Sequence, residues 1–291
     1  LDGSEPFGGL VARDGQMYGT TFRGGAKNDG IVFGINPAGR ERVLYNFGLG
    51  QGAAAFMDGI NPEATMTILN GTLYGTTRNG GAKHAGTVFS VDRSGEERVL
   101  YSFDAGDGAR PYAGLLVLNG TFYGATSAGG AHGDGALFSI SDGKERVLYS
   151  FRGRSDGAHP DGQLVAVGGM LYGTTYRGGA HDRGTVFSAS TQGKERVLQS
   201  FGSPREGSFP FAGLTALDGM LYGTTTLGGA HGKGVIFGMT TAGKERVLYA
   251  FGSDSEGAAP FAGLTDLNDK LYGVTAAGGA TNHGTVFALS P

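Results

Sequence analysis

Short runs rich in Val, Leu, Tyr, Phe and Thr, bounded by Gly, Asn, Asp or Ser, follow one another along the whole chain. None carries apolar residues at a sustained helical period, so each run predicts a β-strand rather than a helix. The clearest set predicts strands at 163–167, 171–175, 185–189 and 195–201. Gly168-Gly169 joins the first two, and Asn70-Gly71, Asn119-Gly120 and Asp218-Gly219 stand at the equivalent places. These pairs accept the positive φ of a tight primed hairpin turn. The third and fourth strands are joined by a short polar turn ending in Gly193, matched by Gly39, Gly95, Gly143 and Gly243.

This set of strands recurs. The dipeptide Tyr-Gly stands at Tyr18, Tyr74, Tyr123, Tyr172, Tyr222 and Tyr272, giving spacings of 56, 49, 49, 50 and 50 residues. A period near 50 residues holding four antiparallel strands predicts propeller blades. The expected fold is all-β: a single six-bladed β-propeller over residues 1–291, with repeat units at about 1–47, 48–103, 104–151, 152–201, 202–251 and 252–291. Inner strands are expected near Leu10, Thr67, Leu116, Val165, Thr215 and Thr265. The Arg-Val-Leu strand occurs only five times, from Arg42, Arg98, Arg146, Arg196 and Arg246, so the last blade is expected to lack its outer strand. That leaves an open edge at 285–289, a row of backbone donors and acceptors suited to another strand. Two sources are expected: residues preceding Leu1, or a neighbouring molecule, in which case self-association through this edge could build a filament.

Composition narrows the function. The chain has 58 Gly among 291 residues, far above the usual share of about 7%. The glycines recur at fixed places, however, and 39% of residues are hydrophobic, so a folded repeat array is expected rather than a disordered chain. A formal charge of −3 with interspersed signs gives no basic stripe and argues against nucleic acid. Cysteine is absent, which removes disulfides, thiolate metal sites and a cysteine nucleophile. No apolar stretch approaches the roughly 20 residues needed to span a bilayer.

The repeated (Leu/Met/Phe)-Tyr-Gly-(Thr/Ala/Val)-Thr, Gly-Gly-Ala and Gly-(Thr/Val/Ala)-(Val/Leu/Ile)-Phe elements, followed by Glu-Arg-Val-Leu-Tyr-Ser-Phe, resemble the GloVer-type tandem repeats of environmental bacteria. The resemblance covers essentially the whole chain and implies a secreted or surface-anchored propeller. It carries no catalytic residues. The glycine pair also resembles that of kelch units, but the tryptophan usual in kelch blades is absent here.

Internal comparison separates scaffold from site, because a feature present in every blade most simply serves the blade. The Tyr-Gly pairs, Gly-Gly-Ala segments and Glu-Arg pairs fall in that group, with the aromatic rings expected to fill the space between blades. The second-to-third loops and the segments passing to the next blade are longer, polar and expected on one face, where binding usually sits. Five histidines lie on those loops: His84, His132, His181, His231 and His283. No loop supplies two at ligand spacing, so no metal site is expected, and His132, His181 and His231 are ligand-binding candidates. Blades carrying Phe7, Tyr112, Phe211 and Phe261 after Pro contrast with the second and fourth, which have Glu63 and Asp161. The second connection is also longer and contains Asp58. Asp58, Glu63 and Asp161 complete the candidate set.

The expected function is non-catalytic binding of extracellular carbohydrate or another surface polymer through the loop face, with no cofactor. One alternative is a structural subunit associating by open blade edges. Another is a polysaccharide-active enzyme using Glu63 and Asp161, if they stood at the roughly 6.5–9.5 Å separation of an inverting glycosidase.

Overall fold

Each Tyr-Gly run forms the second strand of an antiparallel sheet, paired to a short first strand through a two-residue turn and to a third strand through a longer loop. The computed structural model describes residues 2–49, 57–203, 205–252 and 255–291. Six such sheets, one per repeat, give the chain the fold of a six-bladed β-propeller. The chain divides into two compact units, Leu1–Ser150 with blades 1–3 and Phe151–Pro291 with blades 4–6.

Blade 4 represents the set. Its strands are Val165–Val167, Met170–Thr175, Thr185–Ala189 and Glu195–Ser200, hydrogen-bonded in that order. The first turn has positive φ at both Gly168 and Gly169, and the same conformation is met by Asn70-Gly71, Asn119-Gly120 and Asp218-Gly219. The inner strands begin at Val11, Thr67, Leu116, Val165, Thr215 and Thr265. Blade 6 has three strands among the described residues: Thr265–Leu267, Lys270–Val274 and Val286–Leu289.

Packing follows from the alternation. Blade 5 meets blade 4 through Val235, Phe237 and Met239 and blade 6 through Ile236, so its two central strands are nearly fully buried. The phenylalanine that closes each outer strand is buried and meets the third-strand phenylalanine of the next blade edge to face. In unit 1 the pairs are Phe47–Phe89 at 5.1 Å and Phe103–Phe138 at 4.9 Å between ring centroids. In unit 2 they are Phe151–Phe187 at 5.2 Å, Phe201–Phe237 at 5.5 Å and Phe251–Phe287 at 5.4 Å. Such pairs add roughly 0.5–1.5 kcal/mol to the burial of the rings themselves.

Each four-stranded blade carries a β-bulge in its outer strand. In blade 5 Ile236 pairs with Tyr249 but Phe237 pairs with Val247, so Leu248 has no partner opposite. The bulge resets which residues face each neighbour.

Candidate functional site

The segment that enters each blade contains an X-Pro pair, and X always lies in the left-handed region. Those residues are Glu5, Asn61, Arg110, His159, Phe209 and Ala259, with φ between 51° and 60°. A non-glycine residue there is strained, at a cost of order 1–3 kcal/mol, and must be held by its surroundings. Hydrogen bonds on both sides hold it. Phe209 donates its N–H to the Arg183 carbonyl of the preceding blade at 2.8 Å and accepts from the Thr226 N–H at 3.1 Å. Ala259 does the same with Lys233 at 2.9 Å and Ala276 at 3.1 Å. The following segment is tied down as well, since Thr174 donates to the Ala212 carbonyl at 2.9 Å and Thr224 to the Ala262 carbonyl at 3.2 Å. Three side chains per blade, on either side of the proline and just after Tyr-Gly-x-Thr, are thereby presented together from rigid backbone.

In unit 2 these positions form a chain of aromatic rings. Tyr176 meets Phe209 at 5.4 Å and Phe211 at 5.8 Å, and Phe211 meets Phe261 at 5.8 Å. Phe261 is 48% exposed and the other three are half-buried. The Arg177 guanidinium lies 5.8 Å from the Tyr176 ring and 5.6 Å from that of Phe209. It also pairs with Asp182 at 3.5 Å. Asp161 occupies the post-proline position one blade before Phe211. The Gly162 that follows it runs so close to Ala212 and Gly213 that a Cβ there would sit 2.6–2.8 Å from their backbone.

In unit 1 a charged pair interrupts the rings. Phe7 is 62% exposed and meets Phe22 at 5.7 Å. Arg78 takes the place that Tyr176 has in blade 4. Its guanidinium stands 3.7 Å from Glu63, 4.6 Å from the centre of the Tyr112 ring and 5.9 Å from that of Phe22. Glu63 thus replaces a ring at its own position and engages a cation that itself stacks between rings.

Asp58, expected on an exposed loop, is 6% exposed. Its carboxylate accepts from the Tyr45 hydroxyl at 3.0 Å and the Gly48 N–H at 2.8 Å. Acid-Gly pairs recur at Asp2, Asp107, Asp156, Glu206 and Glu256, so Asp58 repeats from blade to blade like the other scaffold features. Tyr101 likewise donates its hydroxyl to Asp107. The outer-strand glutamate of the same blade completes the arrangement. Burial, reinforced by the charge of Asp58, pushes Glu97 up to about 8. Burial and Asp107 push Glu145 up to about 7. Burial raises Asp58 too, against the hydrogen bonds from Tyr45 and Gly48.

His84, His132, His181, His231 and His283 all lie on exposed loops. The ring of His181 lies directly over Gly202, and that of His231 over Gly252, where a Cβ would come within 2.8 Å of its Cδ2. No group of three His, Cys, Asp or Glu among the described residues is placed to share a metal ion. The Tyr-Gly tyrosines Tyr18, Tyr123, Tyr172 and Tyr222 are buried and offer no repeated surface site. Residues 50–56 of the longer second connection lie outside the described residues.

The sequence matches the family model described as the Gloeobacter/Verrucomicrobia repeat twice, over residues 1–169 and 154–291. No curated protein matches it. Among solved structures it is similar to a gluconolactonase from Xanthomonas campestris, at 14% identity and TM-score 0.53, covering 95% of this chain and 82% of that one. It is also similar to a protein assigned as a 6-phosphogluconolactonase from Bacteroides uniformis, at 19% identity and TM-score 0.58, covering 95% and 78%. A puromycin-hydrolysing peptidase from Mycobacterium tuberculosis aligns at 13% identity and TM-score 0.57, covering 91% of this chain and 42% of that one. At these identities the likeness is one of fold.

Proposed function

The chain belongs to the Gloeobacter/Verrucomicrobia repeat family, and from that premise we propose that it is a non-catalytic propeller, working outside the cytoplasm, that binds a carbohydrate polymer on the pre-proline face of blades 4–6. The observation that carries this reading is the aromatic chain of Tyr176, Phe209, Phe211 and Phe261. Four rings in succession, with Phe209 itself on strained but firmly bonded backbone, form a preorganised apolar strip. Arg177 and Asp161 at its side supply a hydrogen-bond donor and an acceptor for hydroxyl groups. Sugar rings present apolar C–H faces ringed by hydroxyls, the chemistry such a strip complements, and tyrosine and phenylalanine can take the stacking role in a chain without tryptophan. A rigid strip also avoids the cost of ordering loops on binding.

Affinity electrophoresis through gels containing soluble α-glucan, β-glucan, xylan or pectin tests the proposal. Wild-type protein is expected to be retarded by at least one polymer, and Phe211→Ala to lose about tenfold in affinity, a difference of ~1.4 kcal/mol. Retardation by none of them, or equal retardation of the variant, would refute it.

A further inference from the structure

The inner strand of blade 1 ends in Arg13, where the other blades have Leu69, Leu118, Val167, Leu217 and Leu267. Blade 2 has Arg93 in the turn between its third and fourth strands, where blades 1, 4 and 5 have Pro37, Thr191 and Thr241. Neither arginine belongs to the repeat. Both line one cavity of about 270 Å³ in unit 1, together with Arg42 of the outer strand of blade 1. The cavity lies at the tight-turn end of these strands, away from the entry segments.

The cavity is built rather than incidental. Arg13 holds its guanidinium 4.4 Å from the centre of the Tyr18 ring and donates from Nη1 to the Gly71 carbonyl, in the first turn of blade 2, at 2.5 Å. Its Nε is buried and makes no hydrogen bond to the protein. Arg93 pairs with Asp14 at 3.0 Å, which ties the turn of blade 2 to that of blade 1. Space comes from Gly34, opposite Arg42 in the sheet, where a Cβ would sit 3.0 Å from Cε1 of Tyr18 and 3.2 Å from Cδ1 of Leu44. Blades 2, 3 and 4 have Ser90, Ser139 and Ser188 opposite the matching arginine. Blade 5 has Gly238 there but Leu217 in place of Arg13. The bare third strand and the inner-strand arginine therefore coincide in blade 1 alone.

Three guanidinium groups against the one carboxylate of Asp14 give the lining a formal charge of +2. Guanidinium forks match the oxygens of carboxylate and phosphate, and a charge of +2 is balanced by a phosphate dianion but only half balanced by a carboxylate. The volume falls just under the roughly 300–1,000 Å³ of pockets that enclose drug-sized ligands, which fits a small anion. We propose that this cavity binds a phosphate dianion, free or as the monoester of a small molecule, between Arg13, Arg42 and Arg93.

Calorimetric titration of the 291-residue chain with inorganic phosphate, glucose 6-phosphate and glucuronate, at pH about 8 where phosphate is dianionic, tests the site. The expected result is saturable one-to-one binding of a phosphate that weakens as salt is added, with glucuronate bound far more weakly. Tighter binding of the ester would make the monoester the ligand, and tighter binding of the free ion would make it phosphate itself; either supports the site. Arg13→Leu restores the residue type of the other blades, and Arg93→Gln alters an exposed turn, so both are expected to fold. Each is expected to weaken binding at least about tenfold, the scale of a lost hydrogen bond between charged groups. Arg98→Gln, which removes an arginine paired with Glu96 outside the cavity, is expected to leave it unchanged. No saturable binding up to millimolar phosphate or ester, glucuronate bound as tightly, or equal affinity in all three variants would overturn the proposal.

Discussion

The glycine of each Tyr-Gly pair is fixed by what lies above it. A Cβ on Gly173 would sit 2.6 Å from Cζ of Phe187 and 2.8 Å from Cδ2 of Leu164, so the ring can cross the strand only where no side chain exists. Gly173→Ala is expected to lower stability by about 1–3 kcal/mol, the usual cost of overpacking a filled core, measured as the urea midpoint. The dipeptide was visible in the sequence as a repeat, but its cause was not, because Phe187 meets it only through strand pairing. Asp58 shows the opposite situation. Its recurrence as an acid-Gly pair was legible, yet the insertion preceding it drew attention to it as a loop residue. The left-handed residues before proline were hidden for a physical reason: Phe209 and Ala259 are residue types that rarely adopt positive φ, and proline normally drives its predecessor to extended conformations.

At the level of elements, the strand-forming composition of the four runs and the two-residue turns announced the blade strands, and blade 4 lies within two residues of its expected bounds; the short pairs of Gly3–Ser4 with Arg23–Gly24 and Gly207–Ser208 with Leu227–Gly228 lie in segments read as loops. The bulge was not announced, since Val-Leu-Tyr breaks the alternation by one residue in a run apolar throughout. Phe201 joins one element to the next, being buried at the end of one outer strand against Phe237 of the next blade. Phe201→Ala is expected to cost about 3–5 kcal/mol, the range for removing a buried ring, with the loss read by equilibrium denaturation. A loss below 1 kcal/mol would mean the inter-blade ring pairs do not carry the packing assigned to them. The exposed ring of Phe261, by contrast, contributes to a surface and not to a core. The alternation could not show that distinction, because the post-proline residue lies outside any strand.

For the molecule as a whole, burial of repeated acids makes stability depend on pH in a direction unusual for carboxylates. Glu97 and Glu145 are pushed up to about 8 and about 7, and Asp58, Asp107 and Glu245 are raised as well. The folded chain therefore keeps protons that the unfolded chain has released. Their contribution is full below the ordinary glutamate range and is lost as pH rises through 7 to 8. The melting temperature is expected to fall between pH 5 and pH 8.5, and Glu97→Gln to flatten that fall; a rise over the same window would contradict the assignment. The repeat and its six blades were legible at this scale because they are periodic. The proposed binding surface was not, since Tyr176, Phe209, Phe211 and Phe261 become neighbours only when successive entry segments lie side by side. Hydroxyl-radical footprinting in the presence of a retarding polysaccharide tests that surface most directly. The account predicts reduced oxidation at Tyr176, Phe211 and Phe261 with Phe7 unchanged, whereas unchanged oxidation of the three rings, or protection confined to another surface, would contradict it.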